Sequence, residues 1–211
     1  MDDLFPPDSP GFLHRPYWRA TEQAEALSAV RAVVAAAPFY TPEMPRSGRP
    51  FSVRMTNCGS LGWVSDRSGY RYQATHPVTG APWPPIPPVI LEVWKAVSGY
   101  SYPPEACLVN HYAPGAKLGL HQDVDEADFT APVVSLSLGD DCRFRLGGAT
   151  RAEPTRAMRL ASGDVVVLGG DSRLAFHGVD RIYPGTSTLL RDWFTEGGRI
   201  NLTLRRVTRP V

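Results

Sequence analysis

Lysine is almost missing from this chain. Lys95 and Lys117 stand against twenty arginines, and the net charge is only +1. That balance excludes a bulk electrostatic pull on a polyanion. It leaves the cationic chemistry to guanidinium groups, which suit flat, bidentate contacts with carboxylate or phosphate. A coding bias toward arginine explains the skew equally well. Cysteine is also scarce. Cys58, Cys107 and Cys142 are odd in number and lack C-x-x-C spacing. They fit reduced thiols in a cytoplasmic protein better than a disulfide framework or a zinc site. No apolar run approaches the roughly 18 residues of a membrane span. The start, Met1-Asp-Asp-Leu-Phe-Pro-Pro, is acidic and has no apolar stretch of the kind a signal peptide needs.

What is present begins with length: 211 residues suit one domain with a sizeable core. Only five histidines occur, and one forms the motif His121-Gln122-Asp123 in an extended-looking run. In a strand, residues i and i+2 share a face, so an imidazole and a carboxylate project side by side. His177 ends an apolar segment, Arg173-Leu-Ala-Phe-His, with Gly178 read as a turn residue after it. A histidine added to the H-x-D pair makes two imidazoles and one carboxylate on one face of a metal. That facial triad leaves coordination positions open and is the usual holder of non-haem Fe(II). A bare H-x-D is common at surfaces, so its surroundings matter. His14 and His76 read as surface residues, and His111 has no acidic neighbour.

The elements follow from periodicity and breakers. Thr21 is the expected N-cap of a helix over 22–37, stopped by Pro38, and a second helix spans 88–98, stopped by Gly99. The intervening 38–87 stretch is rich in proline and aromatics and reads as turns and short hairpins. From about residue 104, strands are expected near 106–112, 117–121, 132–138, 142–146, 156–160, 164–168, 173–177, 187–193 and 199–207. Many short strands after two helices imply a mainly β fold with flanking helices, a jelly roll. The last strand alternates strictly: Ile200, Leu202 and Leu204 on one face, Arg199, Asn201, Thr203 and Arg205 on the other. A solvated polar face is the plain reading. Two guanidiniums on one face also suit a dicarboxylate, for which 2-oxoglutarate is the natural candidate.

Several segments together carry a resemblance to a known family. They are Thr56-Asn-Cys-Gly-Ser-Leu-Gly-Trp63, Cys107-Leu-Val-Asn-His-Tyr-Ala-Pro-Gly-Ala-Lys-Leu118, His121-Gln-Asp-Val-Asp-Glu126, Gly163-Asp-Val-Val-Val, Ser172-Arg-Leu-Ala-Phe-His-Gly178 and Arg199-x-Asn-x-Thr-x-Arg205. In this order they resemble the AlkB family of Fe(II)/2-oxoglutarate dioxygenases, which repair alkylated nucleic acid bases. The resemblance implies a double-stranded β-helix with an N-terminal nucleotide-recognition lid over 38–87, following an N-terminal extension and helix over 1–37 and preceding a core over 88–211. It implies His121, Asp123 and His177 as iron ligands. Arg199, Asn201, Arg205, Asn110 and Tyr112 would hold 2-oxoglutarate. Trp63 would stack on the flipped base, Tyr70 would face the substrate, and Asp125 would accept a hydrogen bond from the base's exocyclic amine. His111 and Leu168 depart from the family pattern, where a basic and an aromatic residue are expected.

The activity so implied is oxidative demethylation of bases such as 1-methyladenine and 3-methylcytosine in single-stranded DNA. It uses Fe(II), 2-oxoglutarate and O₂ and releases aldehyde, succinate and CO₂, through a monomer with no membrane association. The alternatives are the same chemistry on RNA, protein or a metabolite, or a metal-containing module that binds alkylated bases without turnover. Asp125 has its own plain alternative, a solvated acidic turn with Glu126 and Asp128.

Overall fold

The computed structural model describes residues 11–210; the acidic start of the chain lies outside them. The order is β1 (Phe12–Pro16), α1 (Ala20–Ala36), β2 (Arg54–Gly59), β3 (Gly62–Asp66), β4 (Gly69–Gln73), α2 (Pro88–Val97), β5 (Ala106–Tyr112) and β6 (Leu118–His121). It continues with β7 (Val133–Gly139), β8 (Cys142–Leu146), β9 (Arg156–Leu160), β10 (Asp164–Leu168), β11 (His177–Ile182) and β12 (Arg199–Arg205). A six-stranded sheet runs β1-β10-β7-β12-β5-β2. A four-stranded sheet runs β6-β11-β8-β9, and β3 pairs with β4 as a separate hairpin. Every named strand pairing is antiparallel. Two such sheets face to face make the expected jelly roll.

The core has two parts, one on each face of the large sheet. Leu27, Val30, Ile90 and Trp94 of the helices pack against Val109, Leu136, Ile200, Leu202 and Leu204. On the other face, Met55, Leu108 and Val166 meet Phe144, Leu146 and Val179 of the small sheet. β12 lies between β5 and β7, so both of its faces are covered. Its polar row is therefore not solvated: Arg199, Asn201, Thr203 and Arg205 are all at most 8% exposed. The alternation was legible; the burial of the polar side comes from β12's central place in the sheet.

Several local expectations need correction. α1 is capped by Arg19, not Thr21, with the Glu22 carboxylate accepting from the Arg19 backbone N–H at 2.9 Å. α2 ends at Val97, one residue early, before Gly99 at φ +62°. The 38–87 stretch holds the expected short hairpin, β3–β4, but β2 within it joins the large sheet, and Val53, Met55 and Cys58 are fully buried. Residues 173–177 are not a strand. A short 3-10 turn over Gly170–Ser172 leads to His177, which begins β11 rather than ending a strand. Gly178 is accordingly a strand residue, not a turn. A Cβ there would sit 2.6 Å from the Leu118 carbonyl oxygen, so glycine lets β11 approach β6. Residues 187–193 form turns, since β11 and β12 belong to different sheets and need a loop between them. His76 is buried. Its Nε2–H donates to the Pro38 carbonyl at 2.8 Å, and its Nδ1 accepts from the backbone of Val78 and Thr79. His14 is half-buried and lies 2.8 Å from Asp164. All three cysteines are free and buried.

His111 gives the fold a titratable weak point. It is buried on β5, stacked on Phe194 at 3.9 Å, with its Nδ1 accepting from Arg54 at 3.1 Å. Burial, helped by the Arg54 charge, pushes its pKa down to about 4. Its ordinary value is about 6.5. The unfolded chain therefore binds a proton more readily than the native one between these values. Stability from this group is complete above the unfolded value and is lost as pH falls through about 4. Denaturant melts from pH 7 to 4 are expected to show a smaller acid loss for His111→Gln than for wild type. Parallel pH profiles would rule this role out.

Candidate active site

β6 and β11 bring the three triad residues together. His121 and His177 are direct cross-strand partners. β6 ends at His121, so Asp123 and Asp125 are carried by the following loop and not by a continuing strand. The middle residue has other partners: Gln122 donates to the Leu174 carbonyl at 2.6 Å and to the Ala149 carbonyl at 3.2 Å. This ties the H-x-D loop to the segment that leads into His177. The three candidate ligand atoms all lie within 4.8 Å of one another. His121 Nε2 is 3.8 Å, and His177 Nε2 3.7 Å, from the Asp123 carboxylate.

The tautomers follow from hydrogen bonding. Nδ1 of His121 and Nδ1 of His177 each lie 2.9 Å from the carbonyl two residues earlier, Gly119 and Ala175. A carbonyl only accepts, so each Nδ1 carries the proton. Both Nε2 lone pairs are left for a metal, the usual outer support of histidine ligands. Burial pushes His177 down to about 4, against an upward pull from Asp123. Burial alone would raise Asp123, but Arg205, then His177, His121 and Arg173 outweigh it and hold the carboxyl well below the usual range. His177 is thus a neutral imidazole beside an ionised Asp123 carboxylate at neutral pH.

The triad lines a cavity of about 660 Å³, shared with Asn110, Tyr112, Arg199, Asn201 and Arg205. β5 and β12 place these side by side, with Asn110 opposite Asn201 and Tyr112 opposite Arg199. Asn201 is held by Ser135 and Leu136 and accepts from Thr203. The two arginines differ. Arg205 lies 2.8 Å from the Asp123 carboxylate and 3.5 Å from Glu126. Arg199 is 1% exposed, yet its Nε and Nη1 meet no acceptor among the described residues. An unpaired buried guanidinium is costly. Its donors fit a carboxylate in the cavity, and the triad's nitrogen and oxygen donors fit Fe(II) with open positions.

The aromatic mouth belongs to the β3–β4 hairpin. Asn57 on β2 grips the Trp63 backbone in both directions at 3.0 Å. The Trp63 indole N–H donates to Asp125 at 2.7 Å, and Tyr70, half exposed, stacks on the Trp63 ring at 5.5 Å. All three line the cavity. Asp125 is therefore engaged by Trp63 in this structure. Its acidic neighbours are not a solvated turn, because Glu126 and Asp128 are each only 4% exposed.

Sequence reasoning missed three participants. Arg173 donates to the Asp123 carbonyl at 2.8 Å and to Glu126 at 3.0 Å. The Tyr72 hydroxyl donates to Glu126 at 2.5 Å and accepts from Arg205 at 3.1 Å. The only available signal was the row Tyr70-Arg-Tyr72, where period two puts both tyrosines on one face.

The 2OG-Fe(II) oxygenase superfamily matches residues 10–205. The chain is 55% identical over 186 residues to an alpha-ketoglutarate-dependent dioxygenase AlkB homolog of Caulobacter vibrioides, covering 85% of this chain and 83% of that protein. It is 43% identical over 198 residues to the alpha-ketoglutarate-dependent dioxygenase AlkB of Escherichia coli, covering 92% and 88%. The solved structure of OsALKBH1 superposes with a TM-score of 0.79 at 34% identity, covering 94% of this chain and 98% of that one. The match runs through both sheets and all three triad positions, so the chain belongs to the 2OG-Fe(II) oxygenase superfamily and, at this identity, to its AlkB group.

Proposed function

We propose that this protein is an Fe(II)/2-oxoglutarate-dependent dioxygenase that demethylates N-alkylated bases in nucleic acid, with single-stranded DNA as its preferred substrate. The observation that carries the reading is the buried His121–Asp123–His177 cluster sharing a cavity with the unpaired donors of Arg199. Bound Fe(II) supplies oxidation by O₂, coupled to conversion of 2-oxoglutarate into succinate and CO₂, with the alkyl carbon leaving as an aldehyde. The chain supplies binding, orientation and exclusion of side reactions.

In this reading His121, Asp123 and His177 hold the metal. Arg199 takes one carboxylate of 2-oxoglutarate through its two free donors, Arg205 takes the other, and Asn110, Tyr112 and Asn201 complete the bed. The segment 38–87, apart from β2, serves as a lid. A base must be unstacked to reach the cavity, and an aromatic face gives roughly 1–3 kcal/mol of stacking. Trp63 provides that face once Tyr70 yields, and a monomer in the cytoplasm suffices for the task. Mass spectrometry of methylated oligonucleotides, single- and double-stranded, DNA and RNA, tests the reading in the presence of Fe(II) and 2-oxoglutarate. Loss of the methyl group from single-stranded DNA first is the expected result. Succinate formation with no demethylated base in any arm would refute it.

Asp125 sets lesion preference in this scheme. One of its oxygens is taken by Trp63; the other is left for an exocyclic amine. A carboxylate there also favours a cationic base over a neutral one. Asp125→Ala is expected to slow repair of 1-methyladenine and 3-methylcytosine more than repair of 1-methylguanine, while sparing 2-oxoglutarate turnover without substrate. Equal loss on charged and neutral lesions would reduce Asp125 to a support for Trp63.

A further inference from the structure

Tyr72 sits on the β3–β4 hairpin, yet its hydroxyl is not at the mouth. It reaches into the buried charge web behind the triad, where it donates to Glu126 and accepts from Arg205 Nη1. The same guanidinium holds Asp123 through Nη2 at 2.8 Å. Glu126 is fixed from the far side by Arg173, which also binds the Asp123 carbonyl. One phenol oxygen thus touches both an acid and a base whose other contacts converge on the same aspartate. Burial raises the phenol's pKa well above its ordinary value, with Arg205 pulling the other way, so the hydroxyl keeps the proton it donates.

We infer that Tyr72 is a positioning residue for the cosubstrate end of the site: its hydroxyl sets the Arg205 guanidinium against Asp123, and so ties the β3–β4 hairpin to the metal-binding face. Resting on the functional reading above, this assigns a role in 2-oxoglutarate binding to a residue of the mouth hairpin. The geometry requires it to act through Arg205, because Arg205 is the only group among the described residues that hydrogen-bonds to both Tyr72 and Asp123. Glu126 sets the direction of the hydroxyl. With the carboxylate accepting the proton, the phenol oxygen is left as the acceptor for Nη1.

The test is 2-oxoglutarate binding to the full chain loaded with Mn(II), read by calorimetry without turnover, together with amide hydrogen exchange over residues 62–73. Tyr72→Phe keeps the ring and removes only the hydroxyl. It is expected to weaken 2-oxoglutarate about 5- to 20-fold and to speed exchange in the hairpin. In an Arg205→Lys background the same change should add nothing further, since coupled residues are non-additive. Glu126→Gln, which leaves Tyr72 in place, should shift affinity in the same direction and decides the matter if the first variant does not fold. A wild-type affinity in Tyr72→Phe, or a full additional loss in the Arg205→Lys background, overturns the inference. Faster exchange with unchanged affinity shows a merely structural tyrosine and overturns it too. If wild-type protein binds neither Mn(II) nor 2-oxoglutarate, the functional reading itself fails and takes this inference with it.

Discussion

His177→Ala is expected to cut demethylation below about 1% of wild type and to weaken metal binding by more than about 100-fold. Losing a mere outer hydrogen-bond partner of a metal ligand costs roughly 10–100-fold, and a ligand itself counts for more. The side chain's environment explains why nothing replaces it. Its Nδ1–H is committed to the Ala175 carbonyl, its Nε2 is 3.7 Å from Asp123, and the residue is 8% exposed. Alanine leaves two candidate ligands, and the nearest other histidine of the site, His121, is already part of the set. Succinate release and Mn(II) titration measure the two losses, and a circular dichroism melt checks that the fold is kept. Near-normal turnover under limiting iron would remove His177 from the metal site.

Arg199 and Arg205 are expected to part company when each is replaced by methionine. Arg199 keeps two buried donors without an acceptor, so it costs stability in the protein without cosubstrate. Arg199→Met should leave the melting temperature of the cosubstrate-free protein unchanged or raised, since apolar replacement of buried charge is often stabilising. It should also raise the Michaelis constant for 2-oxoglutarate roughly 10- to 100-fold, the worth of a charge-assisted hydrogen bond of about 1.5–3 kcal/mol. Arg205 is committed to Asp123, Glu126 and Tyr72. Breaking such a buried pair costs about 3–5 kcal/mol, or roughly 6–20 °C in a domain of this size. Arg205→Lys keeps the charge but loses the planar fork, and it too should raise the Michaelis constant. Equal effects of the two methionine variants on both temperature and Michaelis constant would show that the arginines are equivalent.

The candidate site was legible where chemistry follows local spacing. The alternating polar row of β12 is a period-two pattern and places its side chains on one face wherever the strand ends up. The H-x-D spacing marked the right residues although Asp123 is carried by the loop after β6. The reading weakened where the backbone left regular structure. Asp123 and Asp125 reach the cavity from a loop. His177 begins a strand that the sequence put on its other side, because the apolar run Arg173-Leu-Ala-Phe reads as extended although it is turn and irregular backbone leading into β11. The roles of Tyr72, Glu126 and Arg173 escaped for another reason. Glu126 and Arg173 look like surface residues by type, and tyrosine is intermediate; only contacts between residues tens of positions apart bring the three together.

By itself the chain pointed to most strands of the core after residue 104, to its two helices to within a residue or two, to the His121, Asp123 and His177 set that the fold brings together, and to the family it resembles. β1, β2 and the true start of β11 escaped local periodicity. The tertiary structure alone decided which arginine is unpaired, that Asp125 is held by Trp63, and that Tyr72 of the hairpin meets Arg205 behind the metal-binding face. These depend on strand order and long-range packing. Strand order set β12 in the middle of the large sheet and turned an ordinary polar face into the floor of the cavity.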